Sequence, residues 1–103
     1  MIIKASIIAK TLNVKASSVY KRMFEYDIPT ILIKGKFNFS KYVDTKYVKY
    51  IIMERDDYKI ETTILDWIEK RYTDDDLKKV FYEELDVMSY NDQVSFCIRK
   101  QLI

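Results

Sequence analysis

Apolar residues recur at helical spacing through the first quarter of the chain. Ile8, Ala9 and Leu12 form one stripe, and Val19 and Met23 form a second, one helical turn apart. The pattern predicts a helix that opens at Lys4 or Ser6 and runs to Leu12, and another from Ala16 to Tyr26. Val14 is expected to plug the corner between them. Small Ala9 lets the second helix cross closely over the first, and Asn13 can take the left-handed conformation that the turn needs. Ser17 and Ser18 fall in the first turn of the second helix, where hydroxyls can satisfy free backbone donors. Asp27, Ile28 and Pro29 stop it, because proline lacks an amide hydrogen and disfavours helical geometry in the residue before it. Ahead of all this, Met1 to Lys4 reads as an edge strand or an apolar lead-in.

From Thr30 to Phe39 the period changes to two. Ile31 and Ile33, then Phe37 and Phe39, alternate around Lys34-Gly35-Lys36, which predicts a β-hairpin with a basic tip and a positive backbone angle at Gly35. Ser40 looks like a helix cap. The segment after it, KYVDTKYVKYIIM, places Val43, Tyr47, Tyr50 and Ile51 on one face of an expected third helix. Past the charged break Glu54 to Asp57, the residues Ile60, Ile64, Ile68 and Tyr72 recur at helical spacing, with Leu65 and Trp67 widening the face. Thr73 with Asp76 resembles a capping box for a further helix carrying Leu77, Val80, Phe81, Leu85 and Met88. A last helix from about Asn91 buries Val94, Cys97, Ile98 and Leu102.

Composition narrows the class. With 103 residues, 49% apolar and 33% charged, the chain has the makeup of a soluble globular protein with one core, and one Gly and one Pro leave little loop material. It contains no run of 18 apolar residues and no signal-peptide order at its start, so no membrane association and a cytoplasmic location are expected. A single cysteine, Cys97, permits no internal disulfide, and the absence of histidine removes the usual zinc sets and the commonest acid-base group. Charge divides along the chain. Residues 1–55 hold 11 Lys or Arg against 4 Asp or Glu, and residues 56–103 hold 7 against 12. The first half attracts phosphate and the second repels it.

One family brings these pieces together in order. Helix, turn, helix, Ile-Pro, strand, Lys-Gly-Lys, Phe-x-Phe, Ser and helix, as in IAKTLNVKASSVYKRM and IPTILIKGKFNFS here, resemble the excisionase-like and MerR-like winged helix-turn-helix proteins. The resemblance covers Ala5 to Met53, about half the chain. The helical spacing after it adds an acidic extension of two to three helices over 56–103, for an expected mainly α chain packed as one unit; the resemblance itself implies a basic winged helix-turn-helix with one β-hairpin wing over residues 1–55. It also implies that the second helix enters the major groove of DNA and that the wing tip lies on the backbone or minor groove. By position, Lys15, Ser17, Ser18, Tyr20 and Lys21 then lie near bases or adjoining phosphates, and Lys34 and Lys36 on phosphate. Arg22 and Lys41 complete the expected contact set.

Other chemistry is weaker. Clustered Asp74, Asp75 and Asp76, or Asp56 with Asp57, have the residue type that hard cations take, but carboxylates at a helix start are better explained by the positive end of its dipole. Cys97 lies on an apolar face with no histidine to activate it. Neither catalysis, nor a cofactor, nor a bound metal is expected. Phe37, Phe39 and Tyr47 are expected to be core, while Tyr20, beside Lys21, is free to stack on or hydrogen-bond to nucleic acid. The leading expectation is a small non-enzymatic DNA-binding protein of the excisionase or repressor kind. A second is a single-stranded-DNA-binding accessory subunit of a mobile-element replication or priming complex, its aromatic rings interleaved with lysines gripping an unpaired strand and its C-terminal helices docking a polymerase or other enzyme. A third is a protein-interaction module that does not meet nucleic acid. Residues 56–103 are expected to serve self-association or partner docking.

Overall fold

In the computed structural model, which describes residues 1–103, the chain divides into two units, Met1–Glu54 and Arg55–Ile103. It is mainly helical, with one small antiparallel sheet. The first unit contains β1 (Ile2–Lys4), α1 (Ala5–Leu12), α2 (Ala16–Glu25), β2 (Thr30–Lys34), β3 (Phe39–Asp44), a 3-10 turn at Thr45–Tyr47, and α3 (Val48–Ile52). Its sheet runs in the order β1-β3-β2, both pairings antiparallel.

The turn from α1 to α2 forms as its residues suggest. Asn13 takes φ 57, its N–H bonds to the Lys10 carbonyl at 3.2 Å, and the Val14 N–H reaches back to Ala9 at 3.0 Å. This pair of bonds is a Schellman stop. The same closure recurs at Asp27 (φ 52), where Ile28 N–H bonds to Met23 O at 2.9 Å, and at Gln101 (φ 57), where Leu102 N–H bonds to Cys97 O at 2.9 Å. A chain with one glycine thus ends three helices on left-handed side-chain-bearing residues, with Asn and Asp at two of them because they tolerate this conformation best.

Two expectations about the hairpin and one about the third helix require correction. Gly35 has no positive φ. It is suited to its place by space, since its N–H bonds to Asn38 O at 2.7 Å and an added Cβ would stand 3.1 Å from that oxygen. The turn spans Gly35 to Asn38, so Phe37 lies at the tip rather than in a strand, and Lys34 is paired with Phe39. Residues 41–44 are strand, not helix, and Ser40 caps nothing. Val43 stands opposite both Ile3 of β1 and Thr30 of β2 and is fully buried, which makes β3 the central strand. Helical structure begins only after Asp44, whose carboxylate accepts from Lys46 N–H at 3.1 Å.

The core of this unit is Ala5, Ile8, Ala9, Val19, Met23, Tyr26, Ile28, Val43, Tyr50 and Ile51. Leu12 and Val14 do not join it. They are 40% and 47% exposed, and face an open groove of about 290 Å³ that Ile51 and Ile52 also line. Val14 sits beyond the left-handed residue, so its side chain leaves the α1 stripe instead of filling the corner.

The second unit contains α4 (Asp57–Arg71), α5 (Asp75–Val87) and α6 (Tyr90–Arg99). Ile60, Ile64 and Ile68 form the buried stripe of α4, and Leu85, Val94, Cys97 and Ile98 meet it from α5 and α6. Trp67 packs edge-on against Tyr72 and Phe96, with Phe81 stacked on Tyr72 at 4.5 Å, so aromatic area joins all three helices. Asp56, Asp74 and Ser89 cap the three N-termini through their side chains. The α5 cap is therefore Asp74, accepting from Asp76 and Leu77, rather than Thr73 as the sequence suggested. Leu77 and Val80, expected in the stripe, are about half exposed.

Burial pushes the Cys97 thiol up from 9.0 to about 11. Between these values the unfolded chain has released the thiol proton and the folded chain holds it, so this group makes stability fall as pH rises. Cys97→Ala is expected to remove roughly 2–3 kcal/mol of the stability lost between pH 8.5 and 11, read by urea melts of both proteins. Parallel alkaline losses in the two would remove Cys97 from the pH dependence.

Candidate nucleic-acid interface

The first unit carries 10 Lys or Arg against 4 Asp or Glu, a formal +6, and the second 8 against 12, a formal −4. Cationic surface therefore belongs to the unit with the helix pair and the hairpin.

On α2, burial of Val19 and Met23 sets which faces remain. One helical step around, Tyr20 and Phe24 lie on the flank towards the hairpin, and Ser17 and Lys21 follow on the outer face. Ser18 and Arg22 fall on the opposite flank, beside α3, where both line the groove with Ile51 and Ile52. The predicted contact set is thus split by the helix itself.

The hairpin side is the richer one. Thr30, Leu32, Lys34, Phe39, Lys41 and Val43 share one face of the β2–β3 pair, because opposed residues in an antiparallel ladder point the same way. Lys41 extends from this face over the Tyr20 ring, its Nζ 4.7 Å from the centroid. Between helix and hairpin runs an open groove of about 500 Å³, lined in part by Tyr20, Phe24, Asp27, Leu32 and Lys41. Lys21 is exposed and makes only a 3.8 Å pair with Glu25, an arrangement that water screens and a phosphate can displace.

Lys15 is exposed at the N-cap of α2, and no side chain caps that helix. Ser17 and Ser18 therefore do not play the expected capping part, and the exposed start of α2 offers backbone N–H groups beside a lysine. At the far end of the hairpin, Lys34 and Lys36 are exposed on either side of Gly35, with Lys36 Nζ 5.5 Å from the Phe37 ring.

Comparisons with protein-family models, curated proteins and solved structures return no match. What this surface does must therefore be read from its own chemistry.

Arg22 departs most from expectation. Its Nη1 donates to the carbonyls of Ile51 at 2.6 Å and Met53 at 2.9 Å, tying α2 to the C-terminal end of α3. These carbonyls have no intrahelical donor, and a guanidinium is suited to serving both. Arg22 is a strut, whereas Lys15, Ser17, Ser18, Tyr20, Lys21, Lys34, Lys36 and Lys41 remain on the accessible surface, Ser18 on the α3 flank.

Phe37 and Phe39, expected in the core, are 91% and 62% exposed. The hairpin projects, and β2 is exposed along its whole length, so there is no second layer to cover these rings. Phe24, one of the rings interleaved with lysines but outside the expected contact set, is also on the surface, at 85% exposure. The signal was available: if Val19 and Met23 define the buried face, Tyr20 and Phe24 are the neighbouring pair at the same four-residue spacing. No group of three or more Asp, Glu or Cys residues is placed to hold a metal ion, and no helix is long and apolar enough to cross a membrane.

Proposed function

We propose that this chain is a small non-enzymatic DNA-binding protein of the winged helix-turn-helix kind, acting as an excision factor or repressor does. α1 and α2 are the helix pair, the β2–β3 hairpin is the wing, and α3 braces them through Arg22. The observation that carries the reading is the shared surface of α2 and the hairpin, where Lys41 lies over Tyr20 and both elements line one groove. In this reading α2 enters the major groove, with Ser17, Tyr20 and Lys21 towards base edges and adjoining phosphates. Lys15 and the exposed start of α2 take a phosphate, and Lys34, Lys36 and Lys41 grip the backbone beside it. Lysine-rich contact of this sort supplies affinity and register, with base discrimination left to a few short side chains.

A second reading is favoured by one observation, the exposure of Phe24, Phe37 and Phe39 among the same lysines. Exposed rings beside cations are what an unpaired strand requires, bases stacking while phosphates follow the charge. In that role the protein is an accessory subunit on single-stranded DNA, and its acidic second unit docks a larger enzyme.

Fluorescence anisotropy with one labelled oligonucleotide, presented as single strand and as duplex, distinguishes them. The first reading expects the duplex to be preferred by about tenfold or more at moderate salt. A single-strand preference of that size transfers the function to the second reading. Binding to neither, at protein concentrations up to about 100 µM, would leave a protein-interaction module.

A further inference from the structure

The outer edge of β2 has no partner in the sheet, whose order ends on that strand. Its five residues, Thr-Ile-Leu-Ile-Lys, are all exposed, with Ile31 at 40%, Leu32 at 58% and Ile33 at 40%. Natural edges are usually blunted by an internal charge, a proline or a bulge. Here Pro29 lies just before the strand and Lys34 ends it, but the three residues between are apolar on both faces.

The main-chain groups on this edge follow from the turn. Gly35 N–H bonds to Asn38 O, and bonded and non-bonded pairs alternate along an antiparallel ladder. Counting back from that pair, Ile33 and Ile31 direct their N–H and C=O towards β3. Thr30, Leu32 and Lys34 direct theirs outwards. The edge therefore presents three residues' worth of donors and acceptors, centred on Leu32.

We infer that this edge pairs with the same edge of a second copy, β2 against β2, antiparallel and in register about Leu32. The strand is self-complementary in this register and meets the requirement of a two-fold interface, in which one patch serves both copies. Leu32 opposes Leu32 of the second copy on the face that carries Lys41. On the other face Ile31 opposes Ile33 and Ile33 opposes Ile31, giving a cluster of four isoleucines. Thr30 opposes Lys34, so no two lysines are brought face to face. A two-residue slip would leave one isoleucine of each copy uncovered and lose the outermost hydrogen bonds. Because the two-fold uses the same edge of both molecules, the assembly closes as a dimer rather than growing into a fibre. The axis runs perpendicular to the sheet, so both copies present Lys34 and Lys41 on the same side.

A five-residue pairing buries less than the ~1,200 Å² of stable complexes, so the dimer is of the weak, concentration-dependent class. Sedimentation equilibrium of the full chain between about 10 and 500 µM is expected to show mass rising from monomer towards dimer. Leu32→Lys places two charges at the centre of the pairing, on a position already exposed in the monomer, and is expected to weaken association at least tenfold while leaving the circular dichroism unchanged. Register is read with Ile31→Cys and Ile33→Cys chains. Mixed and oxidised, they are expected to form a heterodimer disulfide several-fold faster than either variant alone, with Cys97 silent because it is buried. A wild-type chain that stays monomeric over the whole range overturns the inference. So does a dimer that Leu32→Lys weakens less than twofold, or one in which the mixed cysteine pair oxidises no faster than the single variants.

Discussion

Replacing Lys21, Lys34, Lys36 and Lys41 together by glutamine is expected to reduce DNA affinity on the order of 10²–10³-fold at low salt, with no change in fold. All four are exposed, and none supports the core; their side chains make one 3.8 Å ion pair and two ring contacts, so the free protein has little to lose. The decisive quantity is the salt dependence. Each lysine that neutralises a phosphate releases condensed counterions, so the slope of log affinity against log salt should flatten by roughly 0.9 per contact, about 3 to 4 for the set. Single replacements should each remove about one unit. A quadruple variant that binds as tightly as wild type, with the same slope, would put the nucleic-acid surface elsewhere on the molecule or remove it.

Arg22→Ala should have the opposite profile. It sits beside Lys21 in sequence, and residue type alone makes it an equally good phosphate ligand. Its guanidinium is half-buried, however, and bonded to the Ile51 and Met53 carbonyls. Truncation leaves the end of α3 without its donors and opens the groove between α2 and α3. The expected cost is about 2–3 kcal/mol, or on the order of 10 °C in the melting midpoint of a unit this small. Arg22→Lys should fall between, because one ammonium cannot reproduce a guanidinium's planar fork. Lys21→Ala should alter stability by less than about 0.5 kcal/mol. Well below the melting temperature, Arg22→Ala is expected to keep the wild-type salt slope. An unchanged melting temperature with a slope flatter by about one unit would return Arg22 to the phosphate-contacting set.

These two outcomes separate residues that one sequence motif lists side by side. On α2 they are 100° apart, and that rotation carries Arg22 to α3 and leaves Lys21 outward. The hairpin shows a similar division. The charge of Lys34, Lys36 and Lys41 keeps them exposed, whereas the apolar bulk of Phe37 and Phe39 suggests core and these rings are exposed as well. Hydrophobicity marks a residue for burial only where another layer lies over it, and no alternation within β2 or β3 reports whether that layer exists.

Local physics was sufficient wherever a segment's own residues decide its shape. The spacing of Ile8, Val19 and Met23, the stop at Asn13, the Ile60, Ile64 and Ile68 stripe, and the helix carrying Val94, Cys97 and Ile98 all stand as the amino-acid order indicates. Each rests on contacts within a few residues or on a period that a single helix imposes. The charge division into a basic first unit and an acidic second is likewise a property of composition. Tertiary structure decided what depends on distant partners. Residues 41–44 fit a helical stripe when read alone, but β1 at the start of the chain requires a strand beside it, and Val43 fills the centre of the sheet only as β. Arg22 is a strut only because α3 ends next to it, and β2 keeps a free, self-complementary edge only because β1 took the other side of β3. Short-range order set the elements; the pairing of segments some 40 residues apart set which of their faces are left for function.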